Sequence, residues 1–474
     1  MANKKLSLTD ATLIVSGSMI GSGIFIVSSE MARTVGSAGW LILAWVLTGV
    51  VTLLGALSFG ELASMMPKAG GQYVYIQRAF GKLTAFVYGW TVFAVIQTGV
   101  IAAVAVAFAK FAGVFFPIVS ENTVALNLGF MEITGAQFLA VSMVIFLTWL
   151  NTRGIKAGKW VQRIFTFTKI AALFGIIAIG LYYAVTQNVL AENFKNPWDS
   201  FTFNTSAMPG GWEAVTGMAV LFAFGTALLG SLFSSDAWNN VTFIAGEIEN
   251  PHINIPRSLL IGTTVVTVIY CLANVAYLSL LPLKGGLVPG IEAQGISHAL
   301  NDRVGSAAAG VIFGNSGIFF MAALIMISTF GCNNGLILAG SRLYKAMADD
   351  GLFFKKAGEL NKNEAPANAL WIQAIWASLL CLSGSYGQLI EYCMFASLVF
   401  YIVTVSGLFV LRRREPNADR PYKVKTILPI LYIVLAALIS LDLLVFKAQS
   451  SLIGIGVVLL GIPIYYFINA RTAK

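Results

Sequence analysis

Long runs of apolar residues, separated by short polar segments, follow one another along the whole chain. Crossing the apolar core of a lipid bilayer takes roughly 20 residues of α-helix, and with that length the runs predict about twelve membrane-spanning helices. Several runs exceed about 25 residues, which predicts tilted or interrupted helices. The predicted spans are 11–35, 40–66, 83–116, 133–151, 163–186, 212–246, 257–283, 306–341, 368–384, 387–411, 427–446 and 449–470.

The composition agrees with an integral membrane protein whose fold class is all-α. Of the 474 residues, 57% are hydrophobic and 11% are charged, whereas soluble domains carry about 25% charged residues. This excludes a soluble multidomain enzyme, a nucleic-acid-binding protein and a disordered chain, so we expect a lipid bilayer and no nucleic acid as partner. Residues 1–10 lack the apolar region and cleavage site of a signal peptide, and the first span is expected to direct insertion.

The basic residues predict how the chain is oriented. The formal net charge is +9, and most of the 30 Lys and Arg residues fall in alternate connecting segments, among them the run Arg412–Arg414. Cytoplasmic loops of membrane proteins carry an excess of Lys and Arg. We therefore expect a multi-pass protein of the cell (inner) membrane with both termini in the cytoplasm, and this placement explains the positive charge without an acidic partner.

Residues that serve catalysis or metal binding are scarce. The only histidines, His252 and His298, lie in polar connecting segments, and the chain has no HExxH, GxSxG or Walker A motif. The cysteines lie inside apolar runs, where they are expected to be small buried apolar groups. We therefore expect neither an enzyme nor a metal site nor a cofactor. The cysteines are Cys271, Cys332, Cys381 and Cys393.

Small and polar residues interrupt two of the spans near mid-depth. The first span contains Gly17-Ser18-Met19-Ile20-Gly21-Ser22-Gly23, and the sixth contains a similar stretch from Phe224 to Ala237. Such residues often only allow close helix packing, as the spacing of Gly17 and Gly21 would permit. Two breaks five spans apart, however, favour a transporter built from inverted repeats, because irregular backbone at membrane depth must line a cavity or be buried in protein.

Such breaks free backbone groups that suit a ligand with two opposite charges. Amides around Ser22 would attract an anionic group, and carbonyls from Gly17 to Ile20 and near Phe233 would attract a cation. An α-amino acid carries both charges a few ångströms apart. For Asp236, N-capping of the following helix is the simpler alternative to ligand contact. The expected substrate-binding residues are Ser18, Met19, Ile20, Gly21, Ser22, Gly23, Phe233, Asp236 and Asn240.

Motifs along the chain resemble those of a known transporter family. The segment Gly17 to Phe25, GSMIGSGIF, is similar to the G-[TS]-x-I-G-S-G-I-F signature of the amino acid–polyamine–organocation superfamily, in its L-type amino acid transporter branch. The other matching motifs keep the family's order from about residue 9 to 425. They are Glu61-Leu62, Met66-Pro67-Lys68-Ala69-Gly70-Gly71-Gln72-Tyr73, Trp238-Asn239, Thr242-Phe243, Gly246-Glu247, Asn250-Pro251, Ser341-Arg342-Leu343-Tyr344, Met347-Ala348-Asp349-Asp350-Gly351, Gly407-Leu408-Phe409-Val410-Leu411-Arg412 and Arg420-Pro421-Tyr422.

The resemblance implies a leucine-transporter-like fold of twelve transmembrane helices with helices 1 and 6 unwound. Helices 1–5 (residues 1–186) and 6–10 (187–411) would form 5+5 inverted repeats, followed by helices 11–12 (412–474). It implies a sodium-independent exchanger of small or neutral L-amino acids, the alternative being a proton-coupled amino acid or amine symporter of the same fold. The substrate carboxylate would meet the amides of Ser22 and Gly23, and Phe233 would cover the substrate from outside. The amino group would meet the carbonyls of Met19, Ile20 and Phe233.

Two departures from the animal members shape the expected partners. Asp236-Ala237 stands where those members have Gly-Gly, and an Asp there resembles bacterial serine/threonine or alanine/serine/cysteine exchangers. Animal members also bind a heavy-chain glycoprotein through a cysteine in the external loop after helix 3. The corresponding loop here, residues 117–132, has no cysteine. We therefore expect no heavy-chain partner and a monomer.

Lys169 is a charge inside the fifth span, six residues after Arg163. A charge within a membrane indicates function by default, although at this depth a lysine can also reach the interface. The resemblance places Lys169 where sodium-coupled relatives bind Na⁺, so its ammonium would bridge helix 1 to helix 8 near Ser328. The other charges in spans are expected only to pack or to reach the interface; they are Glu61, Arg78, Lys110 and Asp442.

Overall fold

The computed structural model describes residues 5–127, 129, 132–206, 211–286, 290–383 and 386–472, and these residues are mainly helical. The α-helices in these ranges are α1 Leu8–Met19, α2 Ser28–Val35, α3 Ala38–Met65, α4 Gln72–Phe80, α5 Lys82–Thr91, α6 Gln97–Ala112, α7 Gly135–Asn151, α8 Ile155–Thr186, α9 Val189–Asn193, α10 Met218–Ser234, α11 Pro251–Leu280, α12 Ile291–Gln294, α13 Val304–Asp349, α14 Ala367–Ser383, α15 Tyr386–Arg414, α16 Ile427–Phe446 and α17 Ala448–Thr472.

Short connecting elements complete the fold. A π-helical turn, Val92–Ile96, joins α5 to α6, and 3₁₀ turns include Gly23–Phe25 and the longer Trp238–Glu247. The strands form two antiparallel hairpins. They pair β1 Val124–Asn127 with β2 Glu132–Thr134, and β3 Ser200–Phe203 with β4 Trp212–Val215.

Eight helical segments among the described residues are long and apolar enough to cross a membrane: α3, α5 with α6, part of α8, α11, α13, α15, α16 and part of α17. Shorter apolar helices, α7, α10 and α14, coincide with three further predicted spans. The first predicted span corresponds to α1 and α2. A membrane protein built of helices is therefore confirmed at this level.

The predicted start of the sixth span at residue 212 is wrong. Trp212–Val215 forms a strand, and α10 begins only at Met218, after Gly217 with φ of 62°. The physical reason is that these residues pair with Ser200–Phe203 in a hairpin, which satisfies their backbone groups outside the helix. Continuous hydrophobicity does not distinguish this strand from the helix that follows.

Helix α11 makes extensive contacts within the bundle. It packs against α1, α3 and α8, while α13 packs against α6 and α8. Glycines permit the closest of these approaches: a Cβ at Gly262 in α11 would lie 2.6 Å from Val15 in α1, and one at Gly49 in α3 would lie 2.1 Å from Thr267 in α11. Small residues at helix interfaces in membranes have this role, and here they bring α1 next to α11.

Glu61 anchors the chain segment that follows α15, so of the two expectations for this residue, packing is confirmed and extension to the interface is wrong. Its side chain is fully buried. Arg412 donates to both of its carboxylate oxygens, at 2.9 and 2.5 Å, the amide of Val424 donates at 2.8 Å, and Arg420 lies 3.5 Å away. A two-pronged arginine–carboxylate pair fixes geometry as well as charge, so Glu61 ties α3 to α15 and to the loop before α16.

Candidate functional site

The first break lies between α1 and α2. α1 ends at Met19, Ile20 leaves the helical region with ψ of 88°, and a single 3₁₀ turn, Gly23–Phe25, precedes α2. Gly23 has no room for a side chain, because a Cβ there would lie 2.1 Å from Oγ of Ser234 at the end of α10. The glycine therefore lets the two breaks approach each other directly.

The second break lies between α10 and the 3₁₀ helix Trp238–Glu247. α10 ends at Ser234, and Ala237 adopts a left-handed conformation with φ of 64°. Ala237 is the N-cap residue, and no side chain caps this helix. The N-capping alternative for Asp236 is therefore wrong; the carboxylate instead accepts a hydrogen bond of 2.5 Å from the Tyr401 hydroxyl of α15.

Tyr270 of α11 joins the two breaks. Its buried hydroxyl lies 2.9 Å from the carbonyl oxygen of Met19 and 3.0 Å from that of Ser234. Both carbonyls belong to the last residue of a helix, where the backbone has lost its regular partners. One tyrosine thus satisfies exposed backbone in both broken helices and holds them in register.

Lys169 lies fully buried against the first break. Its ammonium donates to the carbonyls of Gly17 and Ile20, each at 2.5 Å. Ser328 of α13 approaches the carbonyls of Ile20 and Gly21, both at 3.4 Å. The Ile20 carbonyl therefore connects α8, the first break and α13, and the alternative that Lys169 extends to the membrane interface is wrong.

Some backbone amides and carbonyls of the first break have hydrogen-bond partners among the described residues and others do not. The Ser22 N–H has no acceptor among the described residues, whereas the Gly21 N–H donates to the Met19 carbonyl at 2.9 Å. Cys332 of α13 donates its thiol to the Ser18 carbonyl at 3.1 Å. A free amide at the start of a helical turn is a suitable donor to an anion, so the arrangement places a donor at Ser22.

An aromatic pair lies over the first break. The ring of Phe233 meets that of Tyr386 edge to face, with 6.0 Å between centroids. The Tyr386 hydroxyl is 3.1 Å from Oγ of Ser22. Tyr386 therefore contacts both the expected anion-binding segment and the expected cover residue, although sequence reasoning did not identify it.

A polar network extends from Asp236 into the bundle. The Tyr401 hydroxyl also approaches Asn239 at 3.4 Å, Asn239 donates to Gln72 at 2.9 Å, and Tyr88 donates to the same Gln72 oxygen at 3.0 Å. These groups border a small cavity of about 20 Å³ that Asn240 also lines. The buried amide nitrogen of Asn240 has no partner among the described residues, so this cavity holds an unused donor.

The two ends of the site differ in openness. At the end near the N-terminal segment, Leu6 exchanges backbone hydrogen bonds with Glu247 and Glu249 at 2.8 and 2.9 Å, and Arg342 pairs with Glu247 at 3.2 Å. At the other end, called the outer end below, a cavity of about 230 Å³ reaches Tyr386. The site is therefore covered by contacts at the first end and approached through this outer cavity at the other.

Within the described residues, no three His, Cys, Asp or Glu side chains come together to hold a metal ion. The cysteines are free thiols; Cys332, Cys381 and Cys393 are buried and Cys271 is half-buried. The site thus consists of backbone groups, one ammonium, one carboxylate and aromatic rings.

Three tyrosines that complete the site were missed by sequence reasoning: Tyr270, Tyr386 and Tyr401. Each stands in or beside an apolar run, where a tyrosine is ordinarily interpreted as an interfacial or packing residue. Their partners are distant in sequence, and no local motif marks them. The one available signal is that a tyrosine deep in an apolar helix needs a hydrogen-bond partner for its hydroxyl.

Two broken helices that face each other within an apolar bundle are typical of a multi-pass membrane transporter. The chain matches the amino acid permease family over residues 6–465 and belongs to that family. The resemblance to the amino acid–polyamine–organocation superfamily and its L-type amino acid transporter branch is thereby confirmed.

Similar proteins include transporters from several mammals. The b(0,+)-type amino acid transporter 1 of Mus musculus is 29% identical over 445 residues, covering 92% of this chain and 83% of the relative. The large neutral amino acids transporter small subunit 2 of Oryctolagus cuniculus is 30% identical over 464 residues, covering 98% and 80%. The Asc-type amino acid transporter 1 of Mus musculus is 30% identical over 468 residues, covering 98% and 81%.

Proposed function

We propose that the protein is a sodium-independent exchanger of small or neutral L-amino acids that works by alternating access. The observation that carries the proposal is the buried ammonium of Lys169 on the carbonyls of Gly17 and Ile20. It supplies a fixed positive charge at broken-helix carbonyls, which are groups that otherwise attract a cation. Relatives named as amino acid transporters support the substrate class.

The substrate is proposed to bind between the two breaks. Its carboxylate would accept from the amides of Ser22 and Gly23, where the Ser22 N–H has no other acceptor among the described residues. Its ammonium would approach the carbonyl of Phe233, because the Ile20 carbonyl already accepts from Lys169 and Ser328. The Met19 carbonyl already accepts from Gly21 and from Tyr270, so Met19 would serve mainly through the shape of its backbone, as would Ser18 and Gly21.

The substrate side chain is proposed to point toward Asp236 and Asn240. The Asp236 carboxylate is held by Tyr401, and the Asn240 amide nitrogen is an unused donor. Both border the cavity of about 20 Å³, which leaves space for a small side chain only. Phe233, supported by Tyr386, would cover the substrate from the outer side and exclude water.

The repeat organisation and the orientation are part of the proposal. Helices within residues 1–186 and 187–411 would form two inverted repeats, each beginning with a broken helix, with residues 412–474 appended. In this arrangement Lys169 of the first repeat contacts the broken helix of the same repeat. Both termini would lie in the cytoplasm of a cell whose membrane this protein spans.

The chain is proposed to act as a monomer, without a heavy-chain glycoprotein. One relative, the large neutral amino acids transporter small subunit 2, is named as a subunit. Residues 117–132 of this chain contain no cysteine that could form a disulfide to a partner in that loop.

A proton-coupled symporter of the same fold is the second candidate, and one observation favours it. Within the described part of the chain, no Lys or Arg pairs with the buried Asp236 carboxylate, whose hydrogen-bond partner is the neutral Tyr401. A buried carboxylate without a cation can take up a proton. Asp236 therefore offers a proton site that an exchanger does not need.

Counterflow in proteoliposomes separates the candidates. Purified full-length protein is reconstituted in vesicles that are empty or loaded with unlabelled L-amino acid, and uptake of labelled L-alanine, L-serine and L-leucine is followed without Na⁺ and without a pH gradient. An exchanger accumulates label only in loaded vesicles. In a second assay, a pH gradient is imposed on empty vesicles. Uptake of label under that condition would instead establish the symporter.

A further inference from the structure

We propose that the outer cavity is a second binding site, which holds one zwitterionic α-amino acid above the Phe233–Tyr386 pair before it enters the central site. The inference rests on the proposed function. Residues of α2, α6, α10, α15 and three connecting segments line the cavity, which measures about 230 Å³. A cavity needs only about 10–15 Å³ to hold a water molecule, so this one has room for a small organic molecule.

The lysine in this cavity is the first observation. Lys110 of α6 is 7% exposed, and it lines the cavity. Its ammonium reaches Glu121 at 3.9 Å and Asp302 at 4.0 Å and makes no hydrogen bond to any described residue. Its burial agrees with the expectation that Lys110 packs within the protein. A buried ammonium without a close acceptor has unused donor capacity directed at the cavity.

Two of the carboxylates that line the cavity with Lys110 already have hydrogen bonds to other side chains. Asp302 accepts from Arg33 at 2.8 Å and from Ser29 at 2.9 Å, and Glu391 accepts from Lys447 at 2.6 Å. Burial by itself raises the pKa of the Asp302 carboxyl, but the charges of Arg33 and Lys110 hold that pKa below its usual range. These two carboxylates are thus already paired with other cations.

Two carboxylates remain for a ligand. Glu30 of α2 is exposed at the cavity wall and pairs with no described cation, and Glu121 has a long contact with Lys110 and also interacts electrostatically with Arg303. After the tight pairs are set aside, the cavity retains one positive group, Lys110, and two negative groups. A ligand that presents a carboxylate to Lys110 and an ammonium to Glu30 satisfies this set, and a zwitterionic amino acid is such a ligand.

The position of the cavity connects it to the central site. Tyr386 lines the cavity, and its hydroxyl contacts Ser22 while its ring contacts Phe233. A molecule in the cavity therefore lies next to the pair that covers the central site. A substrate molecule bound in the cavity raises the substrate concentration next to the central site when the Phe233–Tyr386 pair opens, because a bound molecule has a high effective concentration at a neighbouring site.

The test uses two variants of the full-length chain and one control. Lys110→Met removes the ammonium at similar length, and Glu30→Gln changes an exposed group whose loss does not endanger folding. Lys195→Met alters an exposed lysine in the segment between α9 and β3. External half-saturation is measured by uptake into intact cells, and internal half-saturation by uptake into inside-out vesicles, with L-alanine, L-serine and L-leucine as probes.

Lys110→Met is expected to raise the external half-saturation concentration about tenfold, since hydrogen bonds to charged groups have that magnitude. Glu30→Gln should raise it in the same direction, with internal half-saturation and maximal rate unchanged in both. Titration calorimetry of the purified parent should show two bound probe molecules per chain, and one in Lys110→Met. Parental external half-saturation in both variants, equal rises on both sides, or one bound molecule in the parent would overturn the second site.

Failure of the proposed function is recognised separately. If the parent exchanges none of the three amino acids, that function is wrong. The calorimetric comparison between the parent and Lys110→Met still decides whether a zwitterion binds in the outer cavity, because it does not depend on transport.

Discussion

The ammonium nitrogen of Lys169 lies 2.5 Å from the carbonyl oxygen of Ile20, the residue that directly follows the end of α1. The same carbonyl is approached by Ser328 from α13. A side chain of α8 thus holds the broken end of α1 beside α13. In a site that must change shape to transport, such a contact can stabilise one conformation over the other.

Gly23 and Gly21 should respond differently to alanine. A Cβ at Gly23 would lie 2.1 Å from Ser234, which forces the two breaks apart, whereas one at Gly21 would lie 3.2 Å from the Cys332 sulfur, which can shift slightly. Gly23→Ala should abolish amino acid binding, and Gly21→Ala should weaken it less. Calorimetric affinities with thermal unfolding as a folding check measure this; parental affinity in Gly23→Ala contradicts the proposed carboxylate site.

The aromatic cover is tested at both of its members. Phe233→Ala should lower the exchange rate strongly, because the cover that excludes water is lost, whereas Phe233→Tyr should retain more activity. Tyr386→Phe keeps the ring but removes the hydroxyl that meets Ser22, and it should raise half-saturation with little loss of maximal rate. If exchange by Phe233→Ala equals that of the parent, the cover assignment is wrong.

We expect substitutions at Asp236 and Tyr401 to change which amino acid the protein prefers as substrate. Tyr401→Phe removes the donor that holds the carboxylate, and Asp236→Asn removes its charge; both should change the ratio of exchange rates for L-serine and L-leucine. Ser397→Ala provides a control on the same helix, since Ser397 borders the same cavity. Unchanged ratios in both site variants would remove Asp236 from substrate recognition and leave it a structural role.

Glu61→Ala should destabilise the protein rather than alter its selectivity. The change leaves Arg412 without its carboxylate partner, and breaking a buried ion pair in this way costs about 3–5 kcal/mol. Thermal unfolding in detergent should show a clearly lowered midpoint, while substrate ratios stay parental. The comparison with Arg78→Ala, which breaks an exposed pair with Glu415, should show a small shift; equal shifts would contradict the role of burial.

The sequence predicts the first break well because its cause is local, whereas most of the second predicted stretch, Phe224 to Ala237, is helical and the chain leaves α10 only after Ser234. Gly17 to Gly23 cannot sustain a stable helix, and α1 ends at Met19 within that segment. The family motifs also lie in contiguous stretches. The contacts of Tyr270, Tyr386 and Tyr401 could not be predicted, since each of these tyrosines contacts residues far from it in the chain. Tyr270, for example, donates to the carbonyl of Met19, which is 251 positions away. The hydrophobic pattern likewise did not predict the strand Trp212–Val215, because that strand forms by pairing with Ser200–Phe203 earlier in the chain.

The role of Lys169 rests on its carbonyl partners. Lys169→Ala leaves the carbonyls of Gly17 and Ile20 without this donor, at about 1–3 kcal/mol for each unsatisfied group. The balance between inward- and outward-facing states should shift, while the substrate groups at Ser22 and Gly23 remain. Lys169→Arg should also be impaired, because the fully buried site has no space for a larger, planar head group.

The most direct measurement is the exchange rate of Lys169→Ala and Lys169→Arg in loaded proteoliposomes, with and without Na⁺. Lys362→Ala, at an exposed position between α13 and α14, serves as control, and a thermal-shift assay checks folding. We predict that the parent and the control exchange equally well with and without Na⁺, and that both Lys169 variants fold but lose most of their exchange. Near-parental exchange by Lys169→Ala, or a parent that requires Na⁺, would contradict the claim that this ammonium makes transport independent of sodium.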